Sequence, residues 1–307
     1  MAEPAVIGAH GERASVSDRP FFKRVYYGLW NFIRRRPLGA IGGAIVVIFL
    51  AVAIFAPVLA PYSPNRIDLR APLAPSSSAY RLGTDAVGHD ILSRLIWGAR
   101  LSMTMGFGAV AISTVLGVTI GLTSAYLGGW VDSIIQRFVD AWIAMPGLVI
   151  LITILGIARR SGTNLVYAML LALALLQIAP SSRVIRSLVL DVRGRPYIEA
   201  AQASGASTLR IMVRHVLPNV FPIILITSTV ALPGVILSEA SLSFLGFGPQ
   251  GSSSWGQMLS AEGREFFRRQ PGLAIYPGLC IGLAVFGFNM FGDSLRDVLD
   301  PRLRGTR

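Results

Sequence analysis

Ionisable side chains beside long apolar stretches are the groups in this chain most able to do chemistry. A carboxylate held near hydrocarbon can bind or relay a cation. Two qualify, Asp140 and Glu239. Each falls near the end of an uncharged run, away from its middle. Asp140 follows Arg137 by three residues, a spacing that predicts a local ion pair on one helix face. Glu239 reads as an interfacial polar group. Other chemistries lack their parts. His10, His89 and His215 lie too far apart in sequence to suggest a metal cluster. Cys280, the one cysteine, sits in an apolar run and reads as a small core hydrophobe. Lys23 is the only lysine and is not part of a G-x-x-x-x-G-K-[ST] loop, so a P-loop for ATP cannot be built. No nucleophile elbow, zinc motif or paired-carboxylate set is visible. No catalytic residue, cofactor or metal is therefore assigned.

The segment Arg195–Asn219, RPYIEAAQASGASTLRIMVRHVLPN, carries a different kind of signal. Pro196 suits the first turn of a helix. Tyr197, Ile198, Ala200 and Ala201 predict a short helix of small residues, with Glu199 near its positive end. Gly205 breaks it, with Ala206 following. A second amphipathic helix is expected, with Leu209, Met212, Val213 and Val216 on one face and Pro218 closing it after Leu217. Helix, glycine joint and helix make a compact knob whose apolar face needs a groove to fill. The same pattern also suits an interfacial helix lying on lipid headgroups.

The elements that must hold this knob are unusual for a chain of 307 residues. Hydrophobic residues make up 53% and charged ones only 14%, where a soluble domain carries about a quarter charged. Six runs are nearly free of charge: 38–65, 101–131, 141–158 (or from Ile134, taking in Asp140), 161–182, 215–238 and 270–292. Each is long enough to cross a bilayer core that needs about 20 apolar residues. The first is too long, and preceded by too much polar chain, for a signal peptide. Six transmembrane helices in an all-α polytopic fold are predicted.

The net charge is +12. It invites a nucleic-acid reading, but the arginines flank the apolar runs instead. Alternating the runs across a membrane places 18 basic residues inside and 10 outside. That bias puts both termini in the cytoplasm and leaves nucleic acid unnecessary. Gly39 with Gly43, and Gly117 with Gly121, stand at GxxxG spacing, which predicts close helix packing within the chain in preference to a dimer face.

Glu199, Ala200, Ala201, Gly205, Leu217 and Pro218 resemble the EAA loop of ABC-importer permeases. RLGTDAVGHDILSRLIWGAR (81–100), AYLGGWVDSIIQRFVD (125–140), SEASLSFLGFGPQGSSSWGQML (238–259) and FNMFGDSLRDVLDPRLRG (288–305) are similar to segments of the C-type dipeptide and oligopeptide permeases. His89 departs from that pattern, where Arg is more usual, and bears only on local contacts of an outer loop. The resemblance implies a type I importer fold. Residues 1–36 would be cytoplasmic, 37–96 a first helix and outer loop, 97–294 a five-helix core, and 295–307 a cytoplasmic tail. Within the core, 190–218 would be the coupling segment, with Tyr197, Glu199, Ala200, Ala201, Gly205, Ala206, Leu217 and Pro218 docking on an ATPase.

The same resemblance implies partners: a B-type permease subunit, two ATP-binding subunits and an extracytoplasmic solute-binding protein, all at a bacterial or archaeal cell membrane. Substrates would be di- or oligopeptides, with nickel chelates, glutathione or another small solute as the alternative. A stand-alone channel or secondary carrier is the distant one. The outer loops 61–96 and 246–271 would cap the pore, dock the binding protein, or both. Met1–Asp18 has no counterpart and is expected to be disordered.

Overall fold

The computed structural model describes residue 30 and residues 32–249, 251–260, 263 and 265–299. The expectation for Met1–Asp18, and most of that for the tail 295–307, lies outside these. The apolar runs all become helix, as backbone in hydrocarbon must, since lipid offers no partner to an open N–H or C=O. The order is α1 (Pro37–Ile54), α2 (Ile91–Leu127), α3 (Gly129–Ala144), α4 (Gly147–Arg160), α5 (Leu165–Arg193), α6 (Pro196–Ala203), α7 (Thr208–Ile211), α8 (Leu217–Phe244), α9 (Trp255–Leu259) and α10 (Gly272–Leu299). Among the described residues, five stretches are long and apolar enough to span alone, and α3 with α4 make a sixth where that bent pair counts as one span.

The bend is 86° and falls at Met145–Pro146, inside the run expected to be one helix. Proline gives no N–H, and its ring pushes the residue before it out of the helical region. Met145 is accordingly extended, at φ −77° and ψ 140°. Helix α2 begins ten residues before the uncharged run because Asp90 caps it, accepting from the Ser93 N–H at 2.8 Å. Gly128 and Gly129 both take positive φ, 66° and 56°, and turn the chain from α2 into α3.

The most extensive packing joins α2 to α5, followed by α1 to α10. Both seams use the GxxxG pairs. A Cβ on Gly121 would lie 2.5 Å from the Ser182 carbonyl, and one on Gly117 would lie 2.7 Å from the Ser181 Cβ. Gly39 meets Ser294, and Gly43 meets Phe291. Both pairs are therefore engaged in packing inside the chain. Val47, Ile54, Val115, Leu171 and Leu279 point outward and are exposed. In water they would form a sticky belt, whereas hydrocarbon needs no cover over them.

Two expectations about the fifth span change. Pro218 does not end a helix: it sits in the first turn of α8, and Thr208–Phe244 run on as one span. The chain absorbs the missing N–H with a π-helical stretch, Met212–Val216, in which the Leu217 N–H reaches back five residues to the Met212 carbonyl. The wider turn also splits the expected apolar face. Ile211 and Val216 are buried and Met212 half-buried, while Leu209 and Val213 are 69% and 53% exposed.

Gly121→Leu should lower stability by roughly 2–3 kcal/mol, the usual cost of forcing a side chain into a tight seam, since backbone blocks every way out. Gly156→Ala, with nothing within 4 Å, should leave stability unchanged or slightly raised. Thermal unfolding of the two variants in detergent checks the pair.

Candidate functional site: an inner knob and an outer latch

The knob is held by its own backbone and by one deep anchor. After α6, the Gly205 N–H donates to the Gln202 carbonyl at 2.9 Å and the Ala206 N–H to the Ala201 carbonyl at 3.1 Å. This paired reversal needs a left-handed residue at its centre, and Gly205 supplies it at φ 77°. No atom lies within 4 Å of where its Cβ would be, so the demand for glycine is conformational and not spatial. Ile198 is fully buried against Tyr126, Val189, Val192, Ile211 and Val216. Gln202 donates to the Tyr126 hydroxyl at 3.4 Å, and Arg193 caps the end of α2 through the Ala125 carbonyl at 3.1 Å.

With Ile198 turned inward, the other face is free. Tyr197, Glu199, Ala200, Gly205 and Pro218 are exposed, and Ala201, Ala206 and Leu217 are half-buried. Helices α6 and α7 and the π-helical stretch after them thus bring Tyr197, Glu199, Ala200, Leu209 and Val213 to the surface of one element. Leu217 and Pro218 lie at the start of α8, on the stem that supports it.

Ion pairs tie the neighbouring helices to the same base. Arg186 grips Asp132 with two bonds, at 2.7 and 2.5 Å, while Ser124 donates to the same carboxylate at 2.5 Å. Arg195 pairs with Asp191 at 2.8 Å. Asp140 does not pair with Arg137. It meets Arg183 on α5, because the bend at Pro146 lays α3 across that helix.

At the other end, Glu239 is not interfacial. It lies inside α8 with no exposed surface. Ser102 of α2 donates to it at 3.0 Å and Ser243 at 2.8 Å, and Ser254 bonds it too. A buried carboxylate needs such partners, because hydrocarbon supplies none. Ser254 also caps α9, which begins with Trp255. That indole is fully buried, donates to the Leu95 carbonyl at 2.9 Å and meets Phe49 edge-on at 5.2 Å. The outer segment 251–259 is therefore latched onto α1, α2 and α8.

The first outer loop closes around Asp85, which is 1% exposed. One carboxylate oxygen accepts from the backbone N–H groups of Val87, Gly88 and His89 at 3.0, 2.9 and 2.8 Å. The other meets the His89 ring at 2.8 Å and the Arg94 guanidinium. Burial pushes the Asp85 carboxyl up, but Arg94, His89 and the backbone donors outweigh it and hold it below the usual carboxylate range. His89 thus takes a direct part in closing the loop.

Sequence reasoning placed the two short helices of the knob and the glycine joint between them. It missed the hub at Asp85, the depth of Glu239 and the burial of Trp255. The last two depend on partners 137 residues away for Ser102–Glu239 and 160 for Leu95–Trp255, so no local spacing marks them. The LGTD turn before α2 was the one available signal for Asp85.

This is the architecture of a multi-span membrane protein with a compact, exposed knob at one end, and comparison with known proteins gives its family. The family described as "Binding-protein-dependent transport system inner membrane component" matches residues 117–305. The "N-terminal TM domain of oligopeptide transport permease C" matches residues 28–75. The chain belongs to this family of ABC-importer permeases, in its C-type branch. It is 37% identical to a dipeptide transport system permease protein, DppC, of Alkalihalophilus pseudofirmus, covering 89% of this chain and 88% of the relative. It is 38% identical to a probable D,D-dipeptide transport system permease protein, DdpC, of Escherichia coli, covering 90% and 91%. A glutathione transport system permease protein, GsiD, of Pectobacterium atrosepticum is 36% identical over 90% of this chain and 90% of its own. Among solved structures, the inward-facing MetNI methionine ABC transporter aligns with TM-score 0.55 and 19% identity, over 67% of this chain and 96% of that one. That likeness concerns the type I permease fold alone.

The depressed Asp85 carboxyl has a pH consequence. Its contribution is fully present above the unfolded value, about 3.9, and is lost as pH falls through the lower folded value. Proteolysis of the 61–90 loop in the purified protein should stay slow from pH 7 down to about 4 and accelerate below. Asp85→Asn should be cut already at pH 7 and should lose the step. Separately, Glu239→Leu strands three serine hydroxyls and should destabilise by about 2–4 kcal/mol, whereas Glu239→Gln should cost less than half of that; urea titration of the two variants decides.

Proposed function

We propose that this chain forms half of the translocation pathway of an ATP-driven importer of di- and oligopeptides. A homologous B-type permease supplies the other half. Two ATPase subunits drive the cycle and an extracytoplasmic binding protein delivers the substrate. The termini and the knob lie in the cytoplasm, as the clustering of arginines around α1 and between α5 and α8 favours.

The observation that carries the reading is the knob's two-sided construction. Ile198 is fixed in the same cluster as Val189 and Val192 of α5 and Val220 of α8, while Tyr197, Glu199 and Leu209 stand free. A push on the free face is thereby delivered to two spanning helices, a rigid-body transfer of the kind that alternating access requires. Ile198, Ile211 and Val216 are turned inward, and the apolar side chains left outside, Leu209 and Val213, are those a partner's groove would cover. Tyr197, Glu199, Ala200, Ala201, Gly205 and Ala206 would form the coupling surface, with Leu217 and Pro218 as its hinge to α8. The peptide substrate follows the dipeptide permeases among the relatives. Glutathione, itself a tripeptide, is the second reading, favoured by the glutathione permease among them.

Glu199→Arg and Leu209→Asp change only exposed side chains. Each should weaken ATPase association by about 2 kcal/mol, as loss of an interface anchor does, or roughly thirtyfold, with normal amounts of chain in the membrane. Ile198→Asp should instead lower the amount of folded chain. Quantitative co-purification of the ATPase subunits, scaled to the permease recovered, tests both. Full retention of the ATPases by Glu199→Arg and Leu209→Asp together would count against the coupling role.

A further inference from the structure

Between α5, α8 and the inner end of α10 lies a cavity of about 1070 Å³, larger than the roughly 300–1,000 Å³ of small-ligand sites. Its wall is not what a lipid-facing groove would show. Gln177 lines it six residues before Arg183, the first charged residue of α5, which puts the amide about 9 Å up the helix from that charge. The side chain makes no hydrogen bond among the described residues. An amide this far into an apolar span needs a partner, since an unmet donor and acceptor there cost free energy.

Three neighbouring features repeat the pattern. Pro180 also lines the cavity and has no N–H to give the Leu176 carbonyl one turn back. Thr227 faces it from α8 with its hydroxyl donating to the Ile224 carbonyl at 3.0 Å, so that oxygen offers acceptor capacity. At the mouth stand the Asp191–Arg195 pair and Arg296, which has no carboxylate partner among the described residues.

We infer that this cavity is the substrate-contacting segment of this chain's half-pathway, with Gln177 as its amide-reading residue and Arg296 placed for a carboxylate at the exit. The inference rests on the importer reading and names where, in this chain, the substrate is touched. A donor and several acceptors on the uncharged part of the wall suit peptide N–H and C=O groups. A bare cation would call for carboxylates, and the one carboxylate among the lining residues, Asp191, is already paired with Arg195 at the mouth, beside Arg296. The tail of the wall toward Val230 and Ala231 is apolar, leaving room for side chains without selecting among them.

The test uses the assembled complex in vesicles. With Cys280→Ser as background, Gln177→Cys should react with a charged maleimide added on the side where α6 lies, because the cavity holds water. In transport of tri-alanine, Gln177→Leu should lower the peptide moved per ATP hydrolysed by about tenfold, the loss of one amide hydrogen bond, and Gln177→Asn should restore most of it. A cysteine that reacts only after denaturation overturns the cavity, and normal tri-alanine movement per ATP by Gln177→Leu overturns the contact. A wild-type complex that moves no tri-alanine would fall on the peptide reading itself, and the labelling still decides whether the cavity is an aqueous path.

Discussion

The close approach of α2 and α5 is the contact on which the rest is built. Hydrophobic burial cannot drive two helices together in lipid, so they hold by dispersion and by backbone fit. Gly117 and Gly121 let Ser181 and Ser182 come against the α2 backbone. That fit fixes the inner half of α5, and α5 then holds everything at that end. Arg183 and Arg186 take Asp140 and Asp132 of α3, and Val189 and Val192 receive Ile198 of α6. Shift α5 and the bent span, the knob and the cavity all move together.

The two ends of the molecule are built by opposite rules. The knob keeps Ile198 inside and leaves Tyr197, Glu199 and Ala200 exposed. The outer end is closed on itself. Asp85 is satisfied by three backbone donors, His89 and Arg94, and Glu239 and Trp255 hold the second outer segment from below. Proline serves both. Pro146 bends a span, and Pro218 is carried through a π-helical turn that keeps the lever continuous with α8.

Much of the fold was legible in residue order. The knob could be placed because Pro196, Gly205 and the small residues between them act within a few positions of one another. The third span was the harder case. A proline inside an apolar run can be tolerated, kinked or broken, and the choice between them belongs to the neighbours. Glu239 looked interfacial because it ends a run of apolar residues. It is buried because Ser102, far away in sequence, folds against it. The amphipathic face after Gly205 was misjudged for a related reason. An even α-helical period put Leu209 with Val216, and the π turn rotated them apart.

Sequence alone determined that this chain carries about six runs able to cross a membrane, that its arginines flank those runs, that it has no P-loop for ATP, and that a helix–glycine–helix element stands between the fourth and fifth of them. Each of these follows from composition, or from spacing over a few residues. Only the tertiary structure decided which face of that element is anchored, which carboxylates are buried, where the third span bends, and that Gln177 borders a cavity. For Glu239 and Trp255 those depend on partners more than a hundred residues apart, and for Gln177 on the packing of three helices at once. Side-chain hydrogen bonds across such distances leave no periodicity for sequence to carry.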